Sequence, residues 1–178
     1  MRIQVFNPFE DRLSRDIRND LSESILKVLS QRSISPALEV AESYYSRGIA
    51  SIYREYIDIR LARFQNVLAE LPREATLLQT ATLLWDSGLY FEVHEVLEPE
   101  WMTASGDNKL LLQALIRAAG VYINLELGYR ERAAKISAKA LPILKEFSKD
   151  IGQDLDADAL VKSLELLSVT PPVLAKRR

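Results

Sequence analysis

His94 and Glu98 stand four residues apart in a stretch whose composition differs from the rest of the chain. From Glu74 to Asn108 there is no lysine or arginine, while Glu74, Asp86, Glu92, Glu95, Glu98, Glu100 and Asp107 supply carboxylates and His94 is the chain's single imidazole. An i, i+4 spacing brings two side chains of one helix towards a common point. An imidazole beside a carboxylate is the donor set of a divalent metal ion or of an acid–base pair. On a wheel of about 100° per residue, His94, Glu98 and Trp101 fall within an arc of about 60°. Tyr90, Phe91 and Leu97 flank that arc, Glu95 lies at its edge, and Glu92, Glu100, Val93 and Val96 point elsewhere. The pair is therefore expected on an apolar face, where each polar group needs the other, a third polar group or a metal.

Three readings of the cluster stay open. It is a structural pair that fixes helix packing in a binding or interaction module. Or it holds a metal, with His94, Glu98 and a further carboxylate such as Glu95 or Asp86 as ligands. One imidazole among oxygens suits manganese or iron as well as zinc. Or it is a metal-free acid–base site with His94 as base and Glu98 orienting it. The run His94-Glu95-Val96-Leu97-Glu98 lacks the second histidine of a zinc-protease helix, which removes that reading. Trp101 and Phe91 are the expected lining, with Gln113 and Arg117 from a following apolar helix. Gln113, Arg117, Gly120 and Asn124 form either a narrow solvent strip or a set from which Gln113 or Arg117 reaches the pair. Trp85 and Trp101 read as core anchors, and Tyr44, Tyr45, Tyr53 and Tyr56 as core or interface.

The elements that must position these residues read as helices. Arg2–Phe6 alternates and allows a short strand or an arm. Asn7-Pro8-Phe9-Glu10 carries a helix-start pattern, and Leu13, Ile17, Leu21, Ile25 and Val28 follow at helical spacing to about Gln31. Ser35-Pro36 begins a long helix to about Leu71, with Gly48 as a bend or break and Pro72 as its stop. A third helix carries Leu77 to Trp85 and stops at Gly88. A fourth runs from Leu89 to about Glu98, where Pro99 is expected to kink or end it. Ser105-Gly106-Asp107 is a turn and cap before a very apolar helix, about Asn108 to Leu127, that stops at Gly128. Tyr129 to about Ser148 follows with a kink at Pro142, and Asp156 caps a short last helix before Thr170-Pro171-Pro172. Gly88 and Gly128 lie 40 positions apart, each between two helices, which hints at paired antiparallel hairpins.

The run Tyr90-Phe91-Glu92-Val93-His94-Glu95-Val96-Leu97-Glu98-Pro99-Glu100-Trp101 resembles the signature of a bacterial and archaeal family, domain-of-unknown-function family 309. That signature is His-x-x-x-Glu-x-x-Trp/Tyr, met by His94, Glu98 and Trp101. Leu112-Gln113-Ala114-Leu115-Ile116 is similar to the family's Leu-Gln-Gly-Leu-Ile run, with Ala114 where glycine is usual. The resemblance spans about Leu77 to Leu144 and continues into Gly128 and Ala133-Ala134. It implies an all-helical fold, no established activity and a motif suggested to bind metal.

The expected fold class is therefore all-α: antiparallel helical hairpins forming a bundle, helical-repeat-like, with an N-terminal helical extension. The expected division is 1–71 as that extension, 72–148 as the bundle carrying the motif, and 149–178 as a short helix and flexible tail. The 178 residues include no cysteine, which removes thiolate metal sites and cysteine nucleophiles. A net charge of -2 with a single basic cluster, Lys176-Arg177-Arg178, argues against nucleic acid. No Gly-rich phosphate loop or nucleophile elbow is present. Met1–Glu10 has no apolar leader core, and Leu110–Leu127 is interrupted by Gln113, Arg117, Asn124 and Glu126. The expectation is a cytoplasmic protein off the membrane, with a protein partner or a second copy as its macromolecular contact and a divalent ion (zinc, manganese or iron) as the one cofactor in question.

Overall fold

Helical apolar spacing runs through the described elements, and side-chain caps start three of them. The computed structural model describes residues 5–176 and contains helices and connections only, with no strand among the described residues. The chain divides into two compact units, Met1–Glu70 and Leu71–Arg178.

The first unit holds α1 (Arg12–Gln31), α2 (Ser35–Tyr45) and α3 (Ser51–Glu70). The expected helix start at Asn7 is displaced by four residues. Asp11 is the cap: its carboxylate accepts from the Ser14 amide at 2.8 Å and the Ser14 hydroxyl at 2.6 Å. Asn7 instead closes a separate turn, its carbonyl accepting from the amides of Glu10 and Asp11. A carboxylate that satisfies two donors outcompetes a neutral amide cap. The long second helix divides at Gly48, whose φ of +67° suits glycine. Ile17, Leu21, Ala41, Tyr44, Tyr53 and Ile57 make the shared core. Tyr44 and Tyr53 bury their rings and donate their hydroxyls to Asp20 at 2.5 Å and Asp11 at 3.0 Å. Of the expected N-terminal arm, Arg2–Gln4 lies outside the described residues, and Val5 and Phe6 have no regular structure.

The second unit holds α4 (Leu77–Asp86), α5 (Tyr90–Thr103), α6 (Gly106–Glu126), α7 (Arg130–Glu146), the single turn α8 (Ser148–Ile151) and α9 (Ala157–Leu166). Thr76 and Gln79 start α4 with a reciprocal capping box, and Asp156 caps α9 by accepting from the Ala159 amide at 2.9 Å. Each helix of α4 to α7 packs on the next, and α9 packs on α7. Two turns make this possible. At Gly88 (φ +69°) the glycine amide bonds to Trp85 O and the Leu89 amide to Leu84 O. At Gly128 (φ +79°) the glycine amide bonds to Leu125 O and the Tyr129 amide to Asn124 O. Both are the same left-handed helix stop, which reverses the chain in two residues.

Small buried residues, Ala114, Ala118, Ala119, Ala133 and Ala140, let α6 lie close to its neighbours. Trp85, Tyr90 and Tyr122 meet around it, with ring centroids 5.1 to 5.5 Å apart. No helix among the described residues is long and apolar enough to cross a membrane.

Pro99, where the fourth helix is expected to kink or end, lies inside α5 and does not end it, and Pro142 lies inside α7 as expected. Each removes one helical hydrogen bond. Both rings are exposed, while Val93, Val96 and Leu97 of α5 are buried.

The segment read as a flexible tail has specific attachments as far as Lys176. Trp85 Nε1 donates to Pro172 O at 2.9 Å. The two carboxylate oxygens of Asp86 accept from the amides of Leu174 at 2.7 Å and Ala175 at 2.8 Å. The Asp156 amide donates to Leu174 O at 2.8 Å, and Lys176 Nζ donates to Gly152 O. Burial raises the Asp86 carboxyl above its ordinary range, against the two amides, which lower it.

Candidate functional site

Helix α5 carries the cluster, and its inward stripe decides the surroundings. Leu89, Glu92, Val93, Val96 and Leu97 are buried, with Glu92 at 0% exposure. That stripe is centred away from the His94–Glu98–Trp101 arc, which corrects the expectation that the pair faces the core. His94 is 32% exposed, Glu95 14% and Glu98 42% by side chain. The cluster sits at the margin between core and solvent. Glu92 shares a helical strip with Val93 and Val96, which the wheel also placed off the arc, and that strip, not the arc, faces the core.

The three expected donors do come together. His94 Nδ1 lies 3.3 Å from Glu95 Oε1, and His94 Nε2 lies 4.0 Å from Glu98 Oε1. One donor atom from each of His94, Glu95 and Glu98 falls within 4.8 Å of the others. Ligands about 2.1 Å from a tetrahedral ion stand about 3.4 Å apart, so small side-chain rotations on a rigid helix close this set around one ion. Asp86, offered as an alternative carboxylate, is engaged with the Leu174 and Ala175 amides instead.

The lining is only partly as expected. Phe91 is half-buried, its ring 5.7 Å from that of His94 and tilted by 32°. Trp101 is half-buried one turn beyond Glu98, its ring 5.2 Å from Lys109 Nζ and its Nε1 buried without a hydrogen-bond partner. Gln113 and Arg117 are half-buried on α6, and neither bonds to His94 or Glu98 among the described residues. Asn124 is not part of a solvent strip: it is 7% exposed and donates back to Gly120 O at 2.8 Å.

Chemically, the arrangement offers one imidazole nitrogen and two carboxylates on consecutive turns, with an open side. A carboxylate on Nδ1 also fixes the ring and turns Nε2 towards Glu98, as the outer partners of metal-bound histidines fix theirs.

Residues 78–136, the α4–α5 hairpin, α6 and the first half of α7, match the model of a family described as a domain of unknown function (DUF309). The matched segment contains the whole His94–Glu98–Trp101 motif and both glycine turns. No curated protein and no solved structure matches the chain.

Proposed function

We propose that the second unit is a binding module that takes a divalent transition-metal ion on His94, Glu95 and Glu98. The observation that carries this reading is the convergence of three donor atoms within 4.8 Å on one helix, at a half-exposed margin. Such a margin suits a bound ion better than a packing device. A solvent-exposed ion pair stabilises by only about 0–1 kcal/mol, so the fold alone gains little from these side chains. A bound ion would supply Lewis acidity towards an oxygen ligand arriving from the open side. The protein's part is to hold His94 by Glu95 or to offer Glu95 as third ligand, and to keep Phe91 against the imidazole.

The test is metal content and metal-dependent stability. The purified chain, stripped with chelator, is melted with zinc, manganese or ferrous iron added singly. The expected result is a rise in midpoint with at least one ion, lost in His94→Ala and in Glu98→Ala. A midpoint indifferent to all three ions in the wild-type chain removes the proposal.

A further inference from the structure

Helix α6 brings hydrogen-bond donors to the flank of the His94–Glu98 cluster. Lys109 Nζ lies 5.2 Å from the centre of the Trp101 ring, so the start of α6 stands beside the end of α5. The two helices pack on each other and run in opposite directions. Glu98 and then His94 follow back along α5 in one-turn steps, as Gln113 and then Ile116 follow onward along α6. Residues three and four apart are neighbours on a helix face, so Glu98 and Trp101 border the strip that Lys109 and Gln113 occupy. All of these side chains are half-buried.

Three donors on this flank meet no acceptor among the described residues. Lys109 makes no ion pair or hydrogen bond there: its ammonium rests on the indole, although the Glu98 carboxylate stands one turn from that ring. Gln113 makes no hydrogen bond there either. Trp101 Nε1 is buried and donates to nothing. The chain's other indole, on Trp85, donates to Pro172 O at 2.9 Å. Buried donors in folded proteins are nearly always paired. An ammonium, a side-chain amide and an indole N–H together suit an acceptor with several lone pairs and one negative charge. A carboxylate has both. A phosphate dianion carries more charge than one ammonium offsets, beside Glu95 and Glu98.

We infer that Lys109, Gln113 and Trp101 form a subsite for the carboxylate of a small organic acid, whose apolar body lies along Ile116 and Phe91. The inference rests on the proposed ion site in one respect. One carboxylate oxygen takes the donors of α6 and Trp101, and the other faces the open side of an ion held by His94 and Glu98.

The probe is benzoate, added to the zinc-loaded full chain and followed by the indole N–H signals in proton–nitrogen spectra. The chain has two tryptophans, and the signal missing from Trp101→Phe belongs to Trp101. Benzoate is expected to move the Trp101 signal and to leave that of Trp85, whose N–H is already bonded. Lys109→Met keeps an apolar stem over the ring and should bind benzoate about ten-fold more weakly, with Lys109→Arg restoring it. Zinc itself should bind Lys109→Met no less tightly, since a positive charge near the ion is removed. A Trp101 signal indifferent to benzoate overturns the proposal, and so does benzoate binding unchanged in Lys109→Met. Should Lys109→Met not fold, benzamide decides, since it has the ring without the charge: binding as tight as that of benzoate overturns the proposal. If zinc does not bind the wild-type chain, the ion reading fails for zinc by itself. Benzoate is then titrated into the ion-free chain. A Trp101 shift that Lys109→Met abolishes keeps the subsite, and no shift overturns it.

Discussion

The α4–α5 and α6–α7 hairpins turn in the same way and carry opposite chemistry. Gly88 and Gly128 have φ of +69° and +79°, and the amides of each glycine and the residue after it find carbonyls at the same offsets. Yet the first hairpin lies in a stretch with no lysine or arginine, while Lys109 to Lys149 holds eight basic and three acidic residues. At the 40-residue offset, Ala134, Lys135 and Ala138 stand where His94, Glu95 and Glu98 stand. Ala133 is buried like Val93, so the inward sides correspond while the outward sides diverge. The difference separates what the scaffold needs from what it carries. Two glycine turns and small or aliphatic inward residues suffice for a hairpin, and the donors on α5 are additional to it.

The largest expected effect breaks the inward correspondence. Trp85 is 3% exposed and its counterpart Leu125 is 8% exposed. Trp85→Ala removes a large buried ring and is expected to cost about 3–5 kcal/mol, more than Leu125→Ala, whose smaller side chain falls towards the low end of about 2–5 kcal/mol. Trp85→Ala also loses the bond to Pro172 O. Urea denaturation followed by circular dichroism measures both. Equal costs would mean that Leu125 anchors the second hairpin as firmly as Trp85 anchors the first.

The outward difference is tested by transplanting it. Ala134→His, Lys135→Glu and Ala138→Glu together place the α5 donor set on the matching face of α7. Calorimetric titration is expected to show one ion bound per wild-type chain and two per grafted chain. Saturating ion at about 100 times its dissociation constant should stabilise the wild type by about 2.7 kcal/mol. A graft that still binds one ion would mean that Phe91 or another neighbour absent from α7 completes the site.

The turns should respond alike. Left-handed backbone costs a residue with a Cβ about 1–2 kcal/mol, so Gly88→Ala and Gly128→Ala are each expected to lose that much and to differ little. At Gly128 a Cβ would meet nothing within 4 Å, which leaves backbone strain as the whole effect there. A much larger loss at Gly88 would show that its surroundings, and not its conformation, set the requirement.

Both glycine stops and the Asp156 cap were legible because local chemistry decides them: a left-handed residue or an oxygen three residues ahead of an amide. The order of helices followed from apolar spacing for the same reason. What stayed illegible depended on partners distant in sequence or on competition between neighbours. Asn7 and Asp11 both offer helix starts, and only the reach of Asp11 to both donors of Ser14 decides between them. Pro99 reads as a break because the chain does not announce how firmly Val93, Val96 and Leu97 are held. Leu174 follows two prolines with no periodicity, and its burial comes from Asp86 and Trp85, almost 90 positions earlier. That His94, Glu95 and Glu98 lie close together was legible from their positions on one helix. Their exposure was not, because α5 is rotated to bury the strip of Glu92, Val93 and Val96, and an acid in that strip disguises it.

The smallest expected effect follows from that rotation. A His–Glu pair facing the core would make single replacement costly, about 3–5 kcal/mol, since the remaining charge would be stranded. Here His94 Nε2 and Glu98 Oε1 are 4.0 Å apart, and the two side chains are 32% and 42% exposed. Water can satisfy either group when the other is removed. With chelator present, Glu98→Ala is therefore expected to change unfolding free energy by no more than about 0.5 kcal/mol, the usual range for a surface position. With a bound ion the same substitution should lose the whole metal-dependent gain. The two conditions differ only in the ion, so their difference measures its contribution and their common part measures the pair's own. A loss of several kcal/mol in chelator would mean that Glu98 holds the fold in the absence of any ion. The donors of α5 would then be structural, and the contrast with Ala138 of the second hairpin would be one of packing and not of ligation.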